Sequence, residues 1–216
     1  MARIKNGILG PFKGSIANVV GYERLGTPCM RKKADLTGRV FSEKQLAHQQ
    51  RVRLANSFIN PCKNFINIGF SLSTIGGQTA HNVAISHVMH SGLKGDFTNL
   101  ELDFENLLVA DGDLEKARDP KVEIIGTSLK FTWDYDNMQE FSNRSDQVML
   151  LAFSPETGQS FYTLGGARRS KGMEILEVYP ELDQQSFETY IAFITEDRKL
   201  ISRSMYTGRH TISTNV

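Results

Sequence analysis

Long apolar runs are missing from this 216-residue chain: no stretch reaches the roughly 18 apolar residues that a membrane-crossing helix needs. The opening "MARIKNGILGPF" has basic residues but neither an apolar centre nor a small-residue cleavage site, so it does not read as a signal peptide, and the expected location is the cytoplasm. Cysteine is scarce. Cys29 and Cys62 are too few to staple a fold and read as reduced, small hydrophobes. The single tryptophan, Trp133, is expected in a core, which argues against a carbohydrate-binding surface.

Catalytic signatures are missing as well. A phosphate-binding loop needs G-x-x-x-x-G-K-[ST], so that backbone amides and a lysine wrap the phosphate oxygens. In "GPFKGS" Lys13 precedes Gly14 and a serine follows, which is the wrong order. No glycine fingerprint opens a helix, and there is no G-x-S-x-G elbow, no H-E-x-x-H, and no cysteine set beside a base. His87 and His90 share a face of one predicted helix, but His81 points away and no Cys or acidic residue joins them, so no metal site is expected. Asp103, Glu105, Asp111, Asp113 and Glu115 lack the alternating ligand spacing of a calcium loop and read as an acidic, solvated linker. Asp134 and Asp136 share one face of a predicted strand, a commonplace of solvated sheets. These absences predict a protein that is not an enzyme and needs no cofactor.

What is present is a division of charge. Residues 1–95 hold 13 Lys+Arg against 3 Asp+Glu, a balance of +10, and residues 96–216 hold 12 against 21, a balance of −9. Such asymmetry points to a binding surface of one sign or to copies meeting head to tail.

The first half predicts a β-hairpin over 13–35, with "SIANVVGYER" and "PCMRKK" as strands, "LGT" as the turn and Pro28 at a strand start or edge. Ser42 followed by Gln45 is a capping-box pattern that opens a helix ending before Pro61. Its apolar face is expected to use Leu46, Ala47, Leu54, Ala55, Phe58 and Ile59. A second helix is expected over 78–91, burying Ala80, Val83, Ala84 and Val88. From about residue 120 the period changes to seven short strand candidates separated by turn signals, the pattern of an antiparallel sandwich. The expected class is therefore α+β: a basic head of glycine-rich hairpin plus two helices (1–95), an acidic connector (96–119) with one strand, and a β-sandwich domain (120–216).

Tyr22, Arg24, Arg31, Lys32, Lys33 and Arg39 in the hairpin region, with Lys44, Arg51 and Arg53 on the first helix, are the candidate partner-binding residues. They could track a phosphate backbone or meet an acidic protein surface. No helix-turn-helix, RNP or zinc-finger signature makes them specific for nucleic acid.

Residues 120–208 resemble a fibronectin type III or immunoglobulin-like module, with Trp133 in "SLKFTWDYD" at the place of a core tryptophan on the second strand. The chain as a whole resembles a family of uncharacterised bacterial proteins, a domain of unknown function. The matching residues begin with Gly7, Gly10, Phe12, Gly14, Val19, Val20, Gly21, Gly26, Met30 and Arg31. Gln45, Leu46, Ala47, Ile68, Gly69 and Phe70 follow, and Ala192, Phe193, Ser202, Ser204, Tyr206 and Gly208 close the pattern. Leu54 departs from it, standing where the family often has an aromatic residue. The resemblance implies one architecture joining the glycine hairpin to the sandwich, and no activity. A two-stranded hairpin is marginal in water and exposes unpaired edge groups, so it needs something to dock on. The expected function is a structural or assembly role through contacts with other protein subunits, as in a ring, filament or virion-type particle, or else an accessory nucleic-acid-binding role.

Overall fold

Turn chemistry shapes the amino-terminal region. Gly26 (φ 79°) and Leu25 (φ 49°) both have positive φ, the requirement of a tight two-residue hairpin turn between β3 (Val19–Arg24) and β4 (Thr27–Lys32). Ala17, with φ 47°, lies in a second turn that joins β2 (Phe12–Ile16) to β3. The stretch "SIANVVGYER" is thus two strands rather than one, because Ala17 and Asn18 reverse the chain. With β1 (Arg3–Ile4) the result is an antiparallel sheet in the order β1-β2-β3-β4. The computed structural model describes residues 3–4, 10–35, 37–96, 99–135 and 144–213. The expectations placed on Gly7, Asp136 and the turn over 136–143 fall outside these residues.

The chain divides into two compact units, Met1–Glu43 and Lys44–Val216. This division does not coincide with a boundary near residue 95, because the helices pack inside the second unit. Helix α1 (Glu43–Ile59) starts directly after Ser42, as the capping-box pattern anticipates. Helix α3 (Ala80–Ser91) is capped by Thr79, whose side chain accepts a hydrogen bond from the Asn82 N–H (3.2 Å). Between them lies α2 (Lys63–Gly69), a short helix that periodicity did not reveal. Seven residues are too few for a repeat to register.

The seven strand candidates all form strands: β7 (Arg118–Ile125), β8 (Ser128–Asp134), β9 (Gln147–Phe153), β10 (Ser160–Thr163), β11 (Met173–Glu177), β12 (Gln184–Ile194) and β13 (Met205–Ser213). They pair in one sheet of order β10-β9-β12-β13 and another of order β11-β8-β7, with every pairing antiparallel. The last strand lies further along than the pattern "KLISRSMYTG" indicates. Ser202 Oγ accepts the Phe193 N–H (2.8 Å), and Ser204 Oγ accepts the N–H groups of Val109 (3.0 Å) and Ala110 (3.3 Å). These side-chain bonds, with the backbone bonds from Ser202 N–H to Phe193 O (2.8 Å) and from Ser204 N–H to Ala110 O (2.9 Å), hold 202–204 before the continuous ladder begins at Met205.

Two cores share the four-stranded sheet. On one face Val148, Leu150, Phe187, Ile191 and Phe193 meet Leu129, Phe131 and Trp133 of the three-stranded sheet. On the other, Met149, Leu151, Phe153, Tyr190 and Ala192 meet Phe58, Ile59, Phe65 and Ile66 from the helices. Burial on both sides explains why "QVMLLAF" reads as a continuous apolar run without alternation. Each fully buried aromatic or aliphatic side chain contributes on the order of 1.5–3 kcal/mol, so this doubly covered sheet dominates the stability of the unit.

The acidic connector is only partly solvated. A two-residue strand β6 (Glu101–Leu102) pairs with β5 (Leu93–Lys94), and Leu107, Leu108, Val109 and Ala110 then lie in the helix-side core. Helix α2 meets this segment at Gly69, where a Cβ would lie 2.2 Å from the Val109 carbonyl oxygen, and the Asp111 N–H donates to Gly69 O (3.1 Å). The linker reading fails here because four apolar residues in a row outweigh the acids on either side. Among the described residues, no helix is long and apolar enough to cross a membrane.

Candidate functional site

Residues directly opposite one another on antiparallel strands share a face. Across β3 and β4 the pairs Val20–Arg31, Tyr22–Cys29 and Arg24–Thr27 therefore place Tyr22, Arg24 and Arg31 together on one face of the amino-terminal sheet. The pairs Val19–Lys32 and Gly21–Met30 put Lys32 on the other face, with Ile16 opposite Val19. Lys33 follows β4, its N–H donating to Asn18 O (2.7 Å). Gly21 is required where it stands: a Cβ would lie 2.2 Å from Phe12 O and 2.7 Å from the Phe12 ring.

Among the described residues, this sheet has almost no interior. Of the described side chains in residues 10–43, only Gly21 is buried, while Val19, Tyr22, Leu25, Met30 and Val40 are exposed. Residues 1–43 hold 8 Lys+Arg against 3 Asp+Glu, a balance of +5, and residues 44–216 hold 17 against 21, a balance of −4. Lys13 pairs with Glu23 (2.5 Å), both partly solvated, so this pair adds little. Arg39 stacks over Phe41, 5.0 Å from the ring centroid.

The other candidates lie on α1. Lys44 and Arg51, seven residues apart, share a helix face, and Arg53 points to roughly the opposite side. All three are exposed. The carboxyl-terminal half of α1 buries Ala55, Phe58 and Ile59, but Leu46 is 44% exposed, so the expected apolar face is buried along only part of its length. Beside Leu46, Arg53, Leu54 and Ser57 runs an open groove, formed by adjoining depressions of about 540 and 470 Å³ that share Leu54, Ser57 and Leu100. Phe104, Phe153 and Arg209 line its far end.

Two buried polar networks escaped the sequence reading. Arg169 donates to Asp146 Oδ2 (3.2 Å), Lys116 O (3.1 Å) and Glu115 O (2.7 Å), and it lies over the Phe193 ring at 3.7 Å. Its own carbonyl accepts the Trp133 indole N–H (2.7 Å). Burial pushes the Asp146 carboxyl up and Arg169 down, each opposed by its partner's charge. The second network centres on buried Glu188, which accepts the Tyr206 hydroxyl (2.6 Å) and lies 3.7 Å from Arg209, itself bonded to Glu156 (3.1 Å). Burial and the Glu188 carboxylate raise the Tyr206 hydroxyl above the ordinary tyrosine range. Both networks join residues far apart in the chain, so no local spacing announces them.

His87 and His90 line one depression beside α3, and His81 does not join them. His90 Nδ1 donates to Ser86 O (2.6 Å), while His87 lies against the Phe70 ring, 3.9 Å from Asp111. Among the described residues, no group of three His, Cys, Asp or Glu is placed to hold a metal ion.

A search of curated proteins finds none that matches the chain. A family model does, over residues 11–208, which take in strands β2 to β4, the helices and both larger sheets up to Gly208 in β13. The chain therefore belongs to a family of unknown function, DUF6266.

Proposed function

We propose that this protein is a non-enzymatic structural or assembly component whose amino-terminal sheet docks on other protein subunits of a ring, filament or virion-type particle. The observation that carries this reading is that, among its described side chains, the sheet buries one glycine and presents apolar and basic side chains together. Strands without an apolar face against a partner are marginal in water, so a covering surface has to stabilise them. The +5 balance of residues 1–43 favours an acidic cover. The second unit serves as scaffold. Its three-plus-four strand pairing and the buried Trp133 support reading the two larger sheets as an immunoglobulin or fibronectin type III-like sandwich with helices added on one face.

Light scattering of the full chain at low and high salt tests the reading. Assemblies are expected at low salt and should shrink as salt screens exposed charge. A strictly monomeric, salt-indifferent chain refutes it. The grouping of Tyr22 with Arg24 and Arg31 on one sheet face supports a second reading, in which the same head binds nucleic acid. That reading requires binding to single- or double-stranded DNA or RNA that falls steeply with salt, and a shallower slope when Arg31, Lys32 and Lys33 are replaced together by Ala.

A further inference from the structure

The second unit presents two further surfaces of opposite character beside a single turn. The first is the α1 groove. Its walls are largely apolar, and among the described residues neither Arg53 nor Lys94 in its lining has an ion-pair partner, while Glu101 is the acid among them. The second is the tip between β11 and β12, "VYPELD" (178–183), where Tyr179 is 66% and Leu182 44% exposed. Acids accompany them: Glu177 accepts the Tyr179 hydroxyl (2.9 Å) and Glu181 accepts from Gln159 (2.6 Å). Neither Glu177 nor Glu181 has an ion-pair partner among the described residues.

The turn between β9 and β10 adjoins both surfaces. Pro155 and Gly158 line the groove, and on the other side Gln159 bonds Glu181 while Thr157 Oγ1 accepts from Gln185 (2.9 Å). An apolar tip flanked by acids therefore sits next to an apolar groove whose wall carries Arg53, with Lys94 opposite Glu101 in the β5–β6 pair. We propose that this face forms a two-fold dimer, with the Tyr179–Asp183 tip of each copy lying in the α1 groove of the other. A second copy is the fitting occupant because a two-fold axis beside the 155–159 turn makes both contacts at once and closes the assembly. An unrelated acidic partner would fill one groove and leave the tip uncovered. This surface uses none of the amino-terminal sheet and does not rest on the role given to that sheet.

Mass measurement by sedimentation of the full chain at about 10 µM decides the matter, since a contact with an anchoring aromatic and leucine reaches this affinity range. Leu182→Asp on the exposed tip and Leu46→Asp with Arg53→Glu in the exposed groove wall should each weaken the dimer by at least about 30-fold, as loss of an interface anchor does. An equimolar mixture of the two variants should dimerise more tightly than either variant alone, though less tightly than the wild type, because one intact tip then meets one intact groove while the second contact faces acid with acid. Replacing Arg31, Lys32 and Lys33 by Ala should leave this dimer in place. A monomeric wild type, a dimer indifferent to Leu182→Asp, or a mixture that dimerises no better than either variant alone would overturn the proposal.

Discussion

Arg169 ties three parts of the second unit together: it pairs with Asp146, caps the carbonyls of Glu115 and Lys116, and lies on the Phe193 ring. Removing one member of a buried pair leaves the other charge without compensation, which typically costs about 3–5 kcal/mol. Arg169→Ala is accordingly expected to lower the unfolding free energy by that amount, read as an earlier midpoint in chemical unfolding, whereas Arg168→Ala on the neighbouring exposed side chain should change it little. Glu156 gives a pH signature. Burial raises its pKa, but hydrogen bonds from Ser186, Ser154 and Arg209 outweigh burial, and the group titrates below its ordinary 4.5. A depressed carboxylate stabilises the fold above its unfolded pKa and loses that contribution as pH falls through the folded value. Between about pH 5 and pH 3 the midpoint of the wild type should therefore fall more steeply than that of Glu156→Gln.

Among the elements, the amino-terminal sheet depends on the approach of Phe12 to Gly21. Gly21→Ala places a Cβ against the Phe12 carbonyl and ring, so β2 and β3 cannot keep their register. Hydrogen exchange should show protection lost over residues 12–24 while β9 and β12 stay protected, and if the sheet is the docking element, association should weaken in the same variant. The elements that were legible in the sequence are those with a strong local signal: the Leu25–Gly26 turn, α1 after Ser42, α3, and all seven strands from β7 to β13. Those that were not are decided by distant partners. Helix α2 exists because Gly69 lets its end touch residues 109 and 110, and the apolar run 107–110 enters the core because the helices provide a surface for it. The turn at Ala17 was hidden by the β-branched and aromatic residues around it, which read as one strand.

For the whole molecule, the charge split survives in altered form. The balance of +10 against −9 read across residue 95 becomes +5 against −4 when counted by compact unit, because Lys44, Arg51 and Arg53 of α1, together with Lys63 and Lys94, belong with the second unit. Of the nine candidate binding residues, six stay in the amino-terminal unit, and on its sheet Tyr22, Arg24 and Arg31 share a face. Lys44, Arg51 and Arg53 belong to a different body, where the groove beside Arg53 was invisible to any pattern of spacing. The doubly covered sheet also has a practical consequence for dissecting the protein. A fragment cut at residue 120 strips the helices from Met149, Leu151, Phe153, Tyr190 and Ala192, turning half a core into bare grease. Expressed alone, residues 120–216 should collect in inclusion bodies, while 44–216, which keeps its helical lid, should purify as a cooperatively melting protein.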